Sequence, residues 1–365
     1  MTSDASILFS SFRLGDLDLK NRVVMAPLTR NRATKGTDSP NKLNAEYYHQ
    51  RASAGLIISE ASQITPEGQG YILTPGIYSE AQVEGWKKVT EAVHSEGGLI
   101  FIQLWHVGRV SHVSFQPGGS QPVAPSAITA KTQTFIESGF VDASAPRALR
   151  LDEIPRVVND YKVAAENAKR AGFDGIEIHA ANGYLIEQFL KDGANQRTDA
   201  YGGSVENRMR FALEVTDAIL TVWDKSRVGI RLSPVSPFND AIDSAPEKIY
   251  LPLVQALSKR GLAYIHVIEG ATGGPRDNIP FDFNALRKAF AGAYIANNGY
   301  TRELAVEALR SNQADLIAFG KPYISNPDLV ERLRDNAPFN ALRQETIYGG
   351  GEEGYTDYPA LDEVA

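Results

Sequence analysis

Gly175-Ile176-Glu177-Ile178-His179-Ala180-Ala181-Asn182-Gly183-Tyr184 is the stretch from which the fold can be read. Its first half alternates: Ile176 and Ile178 share one face, Glu177 and His179 the other, as in a β-strand with one apolar and one polar side. Buried charge is destabilising by several kcal/mol unless it is paired or serves chemistry, so the polar face marks a functional C-terminal end. After His179 the chain turns through Asn182 and Gly183 into Leu185-Ile186-Glu187-Gln188-Phe189-Leu190, which has helical spacing. One short turn therefore presents His179, Asn182 and Tyr184 together. An isolated His-x-x-Asn is more often a packed histidine beside a capping asparagine, so the rest of the chain must decide.

The same strand-then-helix alternation runs outward in both directions. Apolar strands are expected at Arg22–Leu28, Leu56–Ser62, Leu99–Trp105, Gly175–His179, Val228–Ser233, Tyr264–Glu269, Ala293–Asn297 and Leu316–Gly320. Helical spacing follows at Leu43–Ala54, Ala81–Glu96, Asp152–Ala171, Val205–Trp223, Pro246–Arg260, Phe283–Phe290, Thr301–Ser311 and Pro327–Asn336. Eight such units predict an α/β fold, a closed parallel (β/α)8 TIM barrel forming one domain over 1–365. A hairpin about Gly15-Asp16 is expected within Phe9–Leu19, ahead of the first unit. Residues 107–150, rich in Gly, Pro, Ser and Thr, are an excursion after the third strand, too long for a structureless loop and so expected to hold a small subdomain or lid. The aromatic tail from Tyr348 needs a surface to pack on.

Composition narrows the function classes. Of 365 residues, 43% are hydrophobic and 22% charged, ordinary for a globular enzyme-sized chain. The absence of cysteine excludes disulfides, thiolate metal sites, iron–sulfur clusters and cysteine nucleophiles, and suits a reducing cytoplasm. The net charge of −7 argues against nucleic-acid or anionic-membrane partners. No apolar run reaches the roughly 20 residues that span a bilayer, and the basic-then-apolar layout of a signal peptide is missing at the N-terminus. The six histidines lack close ligand spacing, so no metal site is expected. Monomer and homodimer both remain open.

Barrel geometry points to candidate site residues, because chemistry sits at the C-terminal ends of strands. Alternation in the third strand sends Gln103 and Trp105 inward, and in the fifth Gly229, Arg231 and Ser233. An arginine inside a barrel needs an anion: Glu177 on the adjacent strand is one partner, and a ligand with an anionic or carbonyl edge is a better one. The first strand ends in Met25-Ala26-Pro27-Leu28-Thr29-Arg30 and the second in Ser59-Glu60-Ala61-Ser62, where small side chains leave room for a flat group. Loops after strands seven and eight commonly hold a phosphate in barrels; here they carry Asn297-Asn298-Gly299 and Gly320-Lys321.

Several of these segments carry a resemblance. Asn21–Arg30, Gln103-Leu104-Trp105-His106-Val107-Gly108-Arg109, His179–Tyr184, Asn195–Ser204 with Glu206-Asn207-Arg208, Ser325-Asn326-Pro327-Asp328-Leu329 and the Tyr348–Tyr358 tail appear in one order over nearly the whole chain. In this the sequence resembles the old yellow enzyme family of flavin mononucleotide (FMN)-dependent ene-reductases. The resemblance implies one non-covalent FMN, with Pro27, Leu28, Thr29 and Ala61 lining its ring, Gln103 and Arg231 at the pyrimidine edge, and Asn298, Gly299, Gly320 and Lys321 at the phosphate. It also implies NADH or NADPH as hydride donor and reduction of the C=C bond of α,β-unsaturated carbonyl or nitro compounds. His179 and Asn182 would bind the substrate oxygen and Tyr184 would deliver a proton. Trp105, Tyr71 and Tyr348 are either walls of the substrate pocket or ordinary aromatic packing. Two positions depart from the family pattern: Lys321 stands where arginine is usual, a point charge in place of a fork, and Asn297-Asn298-Gly299 replaces a more glycine-rich turn. Two other readings compete with the reductase, a phosphate-binding isomerase or aldolase barrel and a non-catalytic flavin-binding scaffold.

Overall fold

The chain opens with a 3-10 turn at Ala5–Phe9, then an antiparallel hairpin of β1 (Phe12–Leu14) and β2 (Leu17–Leu19) about Gly15. Residues 5–277 and 279–363 are described by this computed structural model; the outermost residues of the expected 1–365 domain lie outside them. Next come β3 (Val23–Met25), β4 (Leu56–Gln63) and β5 (Ile100–Trp105). Then follow β6 (Val123–Ala124), β7 (Gln133–Ile136), β8 (Gly139–Asp142) and β9 (Arg147–Ala148), and finally β10 (Gly175–Ala180), β11 (Val228–Leu232), β12 (Tyr264–Ile268), β13 (Ala293–Asn297) and β14 (Leu316–Phe319). Strands β3, β4, β5, β10, β11, β12, β13 and β14 pair in parallel in that order, and β14 returns to β3 to close the barrel. All eight expected barrel strands are present. The first is shorter than Arg22–Leu28, because Pro27 has no N–H to give to a ladder.

The helices are α1 (Lys42–His49), α2 (Glu80–Ser95), α3 (Ile154–Arg170), α4 (Leu185–Leu190), α5 (Val205–Leu220), α6 (Pro246–Arg260), α7 (Phe283–Ala289), α8 (Arg302–Arg310), α9 (Lys321–Ser325) and α10 (Leu329–Asp335). Their starts follow local chemistry: Ser79 and Gln82 form a capping box on α2, and Ser204 and Thr301 cap α5 and α8. Alternation along β5 divides two cores. Ile100, Ile102 and Leu104 pack outward with Trp86 and Tyr161 of the helical layer, while Phe101 turns inward with Tyr264, Leu56, Ile58, Ile295 and Leu316. Leu14, Leu17 and Leu19 of the hairpin join that inner cluster and plug the N-terminal end of the barrel. Two glycines make room for its rings: a Cβ on Gly175 would lie 2.3 Å from the Phe101 ring, and one on Gly229 2.2 Å from Tyr264.

The excursion after β5 contains two small pairings, β6 with β9 and the hairpin β7–β8. Phe135 and Phe140 face each other across that hairpin with ring centroids 4.9 Å apart, and Ile72 N–H donates to the Phe135 carbonyl. The C-terminal tail finds its surface in two arginines beyond β3: Arg30 donates to the carbonyls of Ile347 and Gly354, and Arg32 to those of Thr346 and Gly351. Tyr355 stacks on Tyr47 of α1 at 4.2 Å. Among the described residues, no helix is long and apolar enough to cross a membrane.

Candidate active site

The turn after β10 is held in a shape few sequences adopt. Asn182 and Gly183 both have positive φ, 60° and 74°; asparagine tolerates this region, and at Gly183 a Cβ would also meet the Phe238 carbonyl oxygen at 2.5 Å. The Asn182 N–H donates to Ser233 Oγ at 2.8 Å, and Ser233 Oγ donates to Glu187 Oε1 at 2.6 Å. Glu187 also accepts from the Gly183 N–H and the Tyr250 hydroxyl, and it pairs with Lys191 at 3.2 Å, one helical turn on. Lys191 in turn donates to the carbonyls of Ser233, Ser236 and Ala241. A buried ion pair whose carboxylate accepts at both oxygens thus locks the turn to the loop after β11.

Inside the barrel top, His179, Arg231 and His266 occupy matching positions on neighbouring strands. Glu177 is fully buried and accepts from Gln103 Nε2 at 2.7 Å and His266 Nδ1 at 2.8 Å. The Glu177–Arg231 ion pair considered from sequence does not form among the described residues. Arg231 donates instead to Asn297 Oδ1 at 2.8 Å, and Asn297 is oriented by its own donation to the Ala318 carbonyl. Burial, then the charges of Arg231 and His266, hold His179 well below the usual histidine range, so it is neutral. Burial likewise lowers His266, against the opposing pull of Glu177.

A cavity of about 500 Å³ opens above this layer, lined among others by Pro27, Leu28, Thr29, Tyr71, Asn182, Tyr184, Thr272 and Tyr348. Ala61, Gln103, Trp105, His179 and Arg231 do not line it but are buried within the barrel top. Trp105 stacks behind Tyr71 at 5.8 Å and meets Tyr184 edge-on at 4.9 Å. The hydroxyls of Tyr71 and Tyr184 are 3.2 Å apart. Burial raises Tyr184 well above the usual phenol range and pushes Tyr71 up to about 12, so both stay protonated at neutral pH. Tyr348, brought in by the tail, is half exposed at the cavity mouth with Phe140 and Phe238.

The four residues expected at a phosphate lie apart from this cavity lining, on the turns after β13 and β14. Asn298 (φ 103°) commits its side-chain NH2 to the carbonyls of Glu269 and Ala271, so a phosphate would have to take its donor from the backbone. Gly299 has open space where a Cβ would be, Gly320 precedes α9, and Lys321 is exposed as the first residue of that helix.

Residues 7–340 match the NADH:flavin oxidoreductase / NADH oxidase family. The chain belongs to this family. Among relatives of this flavin oxidoreductase, 12-oxophytodienoate reductase 1 of Oryza sativa subsp. japonica is 47% identical over 362 residues, 98% of this chain and 94% of the relative. Among solved structures, morphinone reductase superposes with a TM-score of 0.92 at 50% identity, covering 98% of this chain and 97% of that one. The old yellow enzyme homologue from Zymomonas mobilis reaches 0.94 at 47% identity, covering 97% and 99%. The isomerase, aldolase and passive-scaffold readings fall away with this membership.

The residues present fit the family's flavin. Arg231 Nε, His179 Nδ1, Trp105 Nε1 and His266 Nε2 are buried at the barrel top with no protein partner among the described residues, which is tolerable where a polar-edged flat ligand supplies the missing bonds. Sequence reasoning missed His266, Asn297, Thr272 and the Glu187–Lys191 pair. His266 and Asn297 were within reach, since the alternations Tyr264-x-His266 and Ile295-x-Asn297 already send them inward, and Glu187 and Lys191 have the spacing of one helical turn; Thr272 comes to the site only through tertiary contacts.

Proposed function

We propose that this flavin oxidoreductase is an ene-reductase that binds FMN non-covalently and reduces the activated C=C bond of α,β-unsaturated carbonyl or nitro compounds. Pro27, Leu28, Thr29 and Ala61 would line the flavin ring, Gln103 and Arg231 its pyrimidine edge, and Asn298, Gly299, Gly320 and Lys321 its phosphate. When bound, FMN supplies the hydride chemistry, taking hydride from NADH or NADPH and giving it to the β carbon of the alkene. Arg231 places fixed positive charge where negative charge develops. Neutral His179 and the Asn182 amide donate to the substrate oxygen and draw electron density from the double bond. Tyr184 Oη delivers a proton to the α carbon as general acid, and Tyr71, its hydroxyl neighbour at 3.2 Å, is placed to resupply that proton from the cavity. Trp105 holds the two tyrosine rings in place, and Tyr348 forms the outer wall.

The observation that carries the reading is a hydroxyl kept protonated by burial, Tyr184, lining one cavity with Asn182, beside a buried histidine whose Nδ1 meets no protein partner. The β7–β8 hairpin, which sets Phe135 and Phe140 into the cavity lining, acts as a lid within the single barrel domain. The cysteine-free composition supports work in the cytoplasm, and the protein would act as a monomer or homodimer. The purified protein should be yellow, release FMN on heating, bleach anaerobically with NADH or NADPH, and regain colour on addition of an enone. A colourless protein that takes up no added flavin defeats the proposal.

A further inference from the structure

Asn182 is held at three of its four polar groups. Its N–H donates to Ser233 Oγ, its carbonyl accepts from Asn239 Nδ2 at 2.9 Å, and its side-chain oxygen accepts from Thr272 Oγ1 at 2.8 Å. Only the side-chain NH2 has no protein partner among the described residues, and Asn182 lines the cavity. The direction of the last bond follows from its neighbours. Ser236 Oγ accepts from the N–H groups of Thr272 (3.0 Å) and Phe238 (3.4 Å), which occupy its two lone pairs. Its own proton then goes to Thr272 Oγ1, 2.8 Å away, which leaves the Thr272 proton for Asn182 Oδ1, the acceptor within reach. The amide therefore presents oxygen to Thr272 and NH2 to the cavity.

We propose that Thr272 is a positioning residue: with Ser236 it fixes the sense of the Asn182 amide, so that Asn182 meets the substrate oxygen as a donor and never as an acceptor. This rests on the reading of Asn182 as a carbonyl-binding group. Without the relay the amide rotates freely, and half of its orientations oppose an oxygen ligand.

The test uses the FMN-loaded enzyme and 4-chlorophenol, whose phenolate places an oxygen where a substrate carbonyl would sit, read from its long-wavelength charge-transfer band on oxidised flavin. Thr272→Val keeps the shape and removes the donor; affinity should fall about three- to ten-fold. Ser236→Ala should do the same, and Thr272→Ser should restore binding. For enone turnover Thr272→Val should raise KM more than it lowers kcat. Because Thr272 itself lines the cavity, the deciding measurement is Thr272→Val in an Asn182→Ala background, where no further loss is expected. An undiminished loss there would mean that Thr272 touches the ligand directly, and the proposal fails. Unchanged affinity in Thr272→Val, with Asn182→Ala weakened, removes the relay alone. If Asn182→Ala itself leaves phenol binding intact, the carbonyl-binding reading falls and the relay with it.

Discussion

The two ends of the barrel are built from the same strands and differ in what their inward residues leave unsatisfied. At the lower end Phe101, Tyr264, Leu56, Ile295 and Leu316 close on the hairpin leucines. Two residues further along their strands, Phe101 gives way to Gln103, Tyr264 to His266 and Ile295 to Asn297, and Glu177 and Arg231 share the space. Among the described residues the lower end leaves the Tyr264 hydroxyl without a partner inside an otherwise apolar cluster, whereas the upper end leaves Arg231 Nε, His179 Nδ1, Trp105 Nε1 and His266 Nε2. Stability is concentrated where the alternation is apolar, and binding where the same alternation turns polar. Substitutions at the two ends should therefore separate folding from function.

The largest effect is expected at the upper end. His179→Ala with Asn182→Ala removes two hydrogen bonds to a bound phenolate, worth roughly 1.5–3 kcal/mol each. Affinity by spectral titration should collapse and the charge-transfer band vanish, while FMN stays bound. Retention of the band would break the contrast. At the lower end Phe101→Ala should reduce unfolding free energy by about 3–5 kcal/mol, measured by denaturant titration, with phenol affinity per folded molecule preserved. A large loss of phenol affinity there would show that the two layers are not separable.

Tyr184→Phe sharpens the contrast within the upper end, since only a proton donor is lost. Stopped-flow enone reduction should slow by roughly 10²–10⁴ while reduction of the flavin by nicotinamide persists. Equal slowing of both half-reactions would make Tyr184 structural.

The smallest effect concerns a buried carboxylate outside the barrel interior. Glu60, on β4 with its carboxylate against Asn44 and Tyr48 of α1, is pushed up to about 7 by burial, against the opposing influence of Arg30 and Tyr48. The folded protein then holds this proton to about pH 7, while the unfolded chain releases it near 4.5. This contribution to stability is complete below the lower value, declines as pH rises between the two, and is lost above the upper. Glu60→Gln should flatten that decline, on the order of 1 kcal/mol per pH unit, in unfolding curves at several pH values. An unchanged pH profile would place the titration elsewhere.

The strand and helix periods of the eight barrel units were legible, because alternation in a barrel records which face meets the helices and which the interior, whereas the short strands β6–β9 and helix α9 were not read. Candidate residues on strand ends were legible for the same reason: Gln103, His179 and Arg231 stand at inward positions of a period-2 pattern. The turn at Asn182-Gly183 declared itself through residues that tolerate positive φ. What a side chain meets across the barrel left no such trace. Glu177 could have paired with Arg231, one strand away, yet it takes Gln103 and His266. Asn298 reads as a phosphate-loop residue through its backbone, and nothing local showed that its side-chain NH2 braces the loop after β12. Thr272 lies 90 residues from Asn182 and carried no signal at all. Periodicity is a local property of the backbone, so one chain suffices to show it. The choice among hydrogen-bond partners depends on distances of a few tenths of an ångström between distant segments, and only the closed barrel sets those.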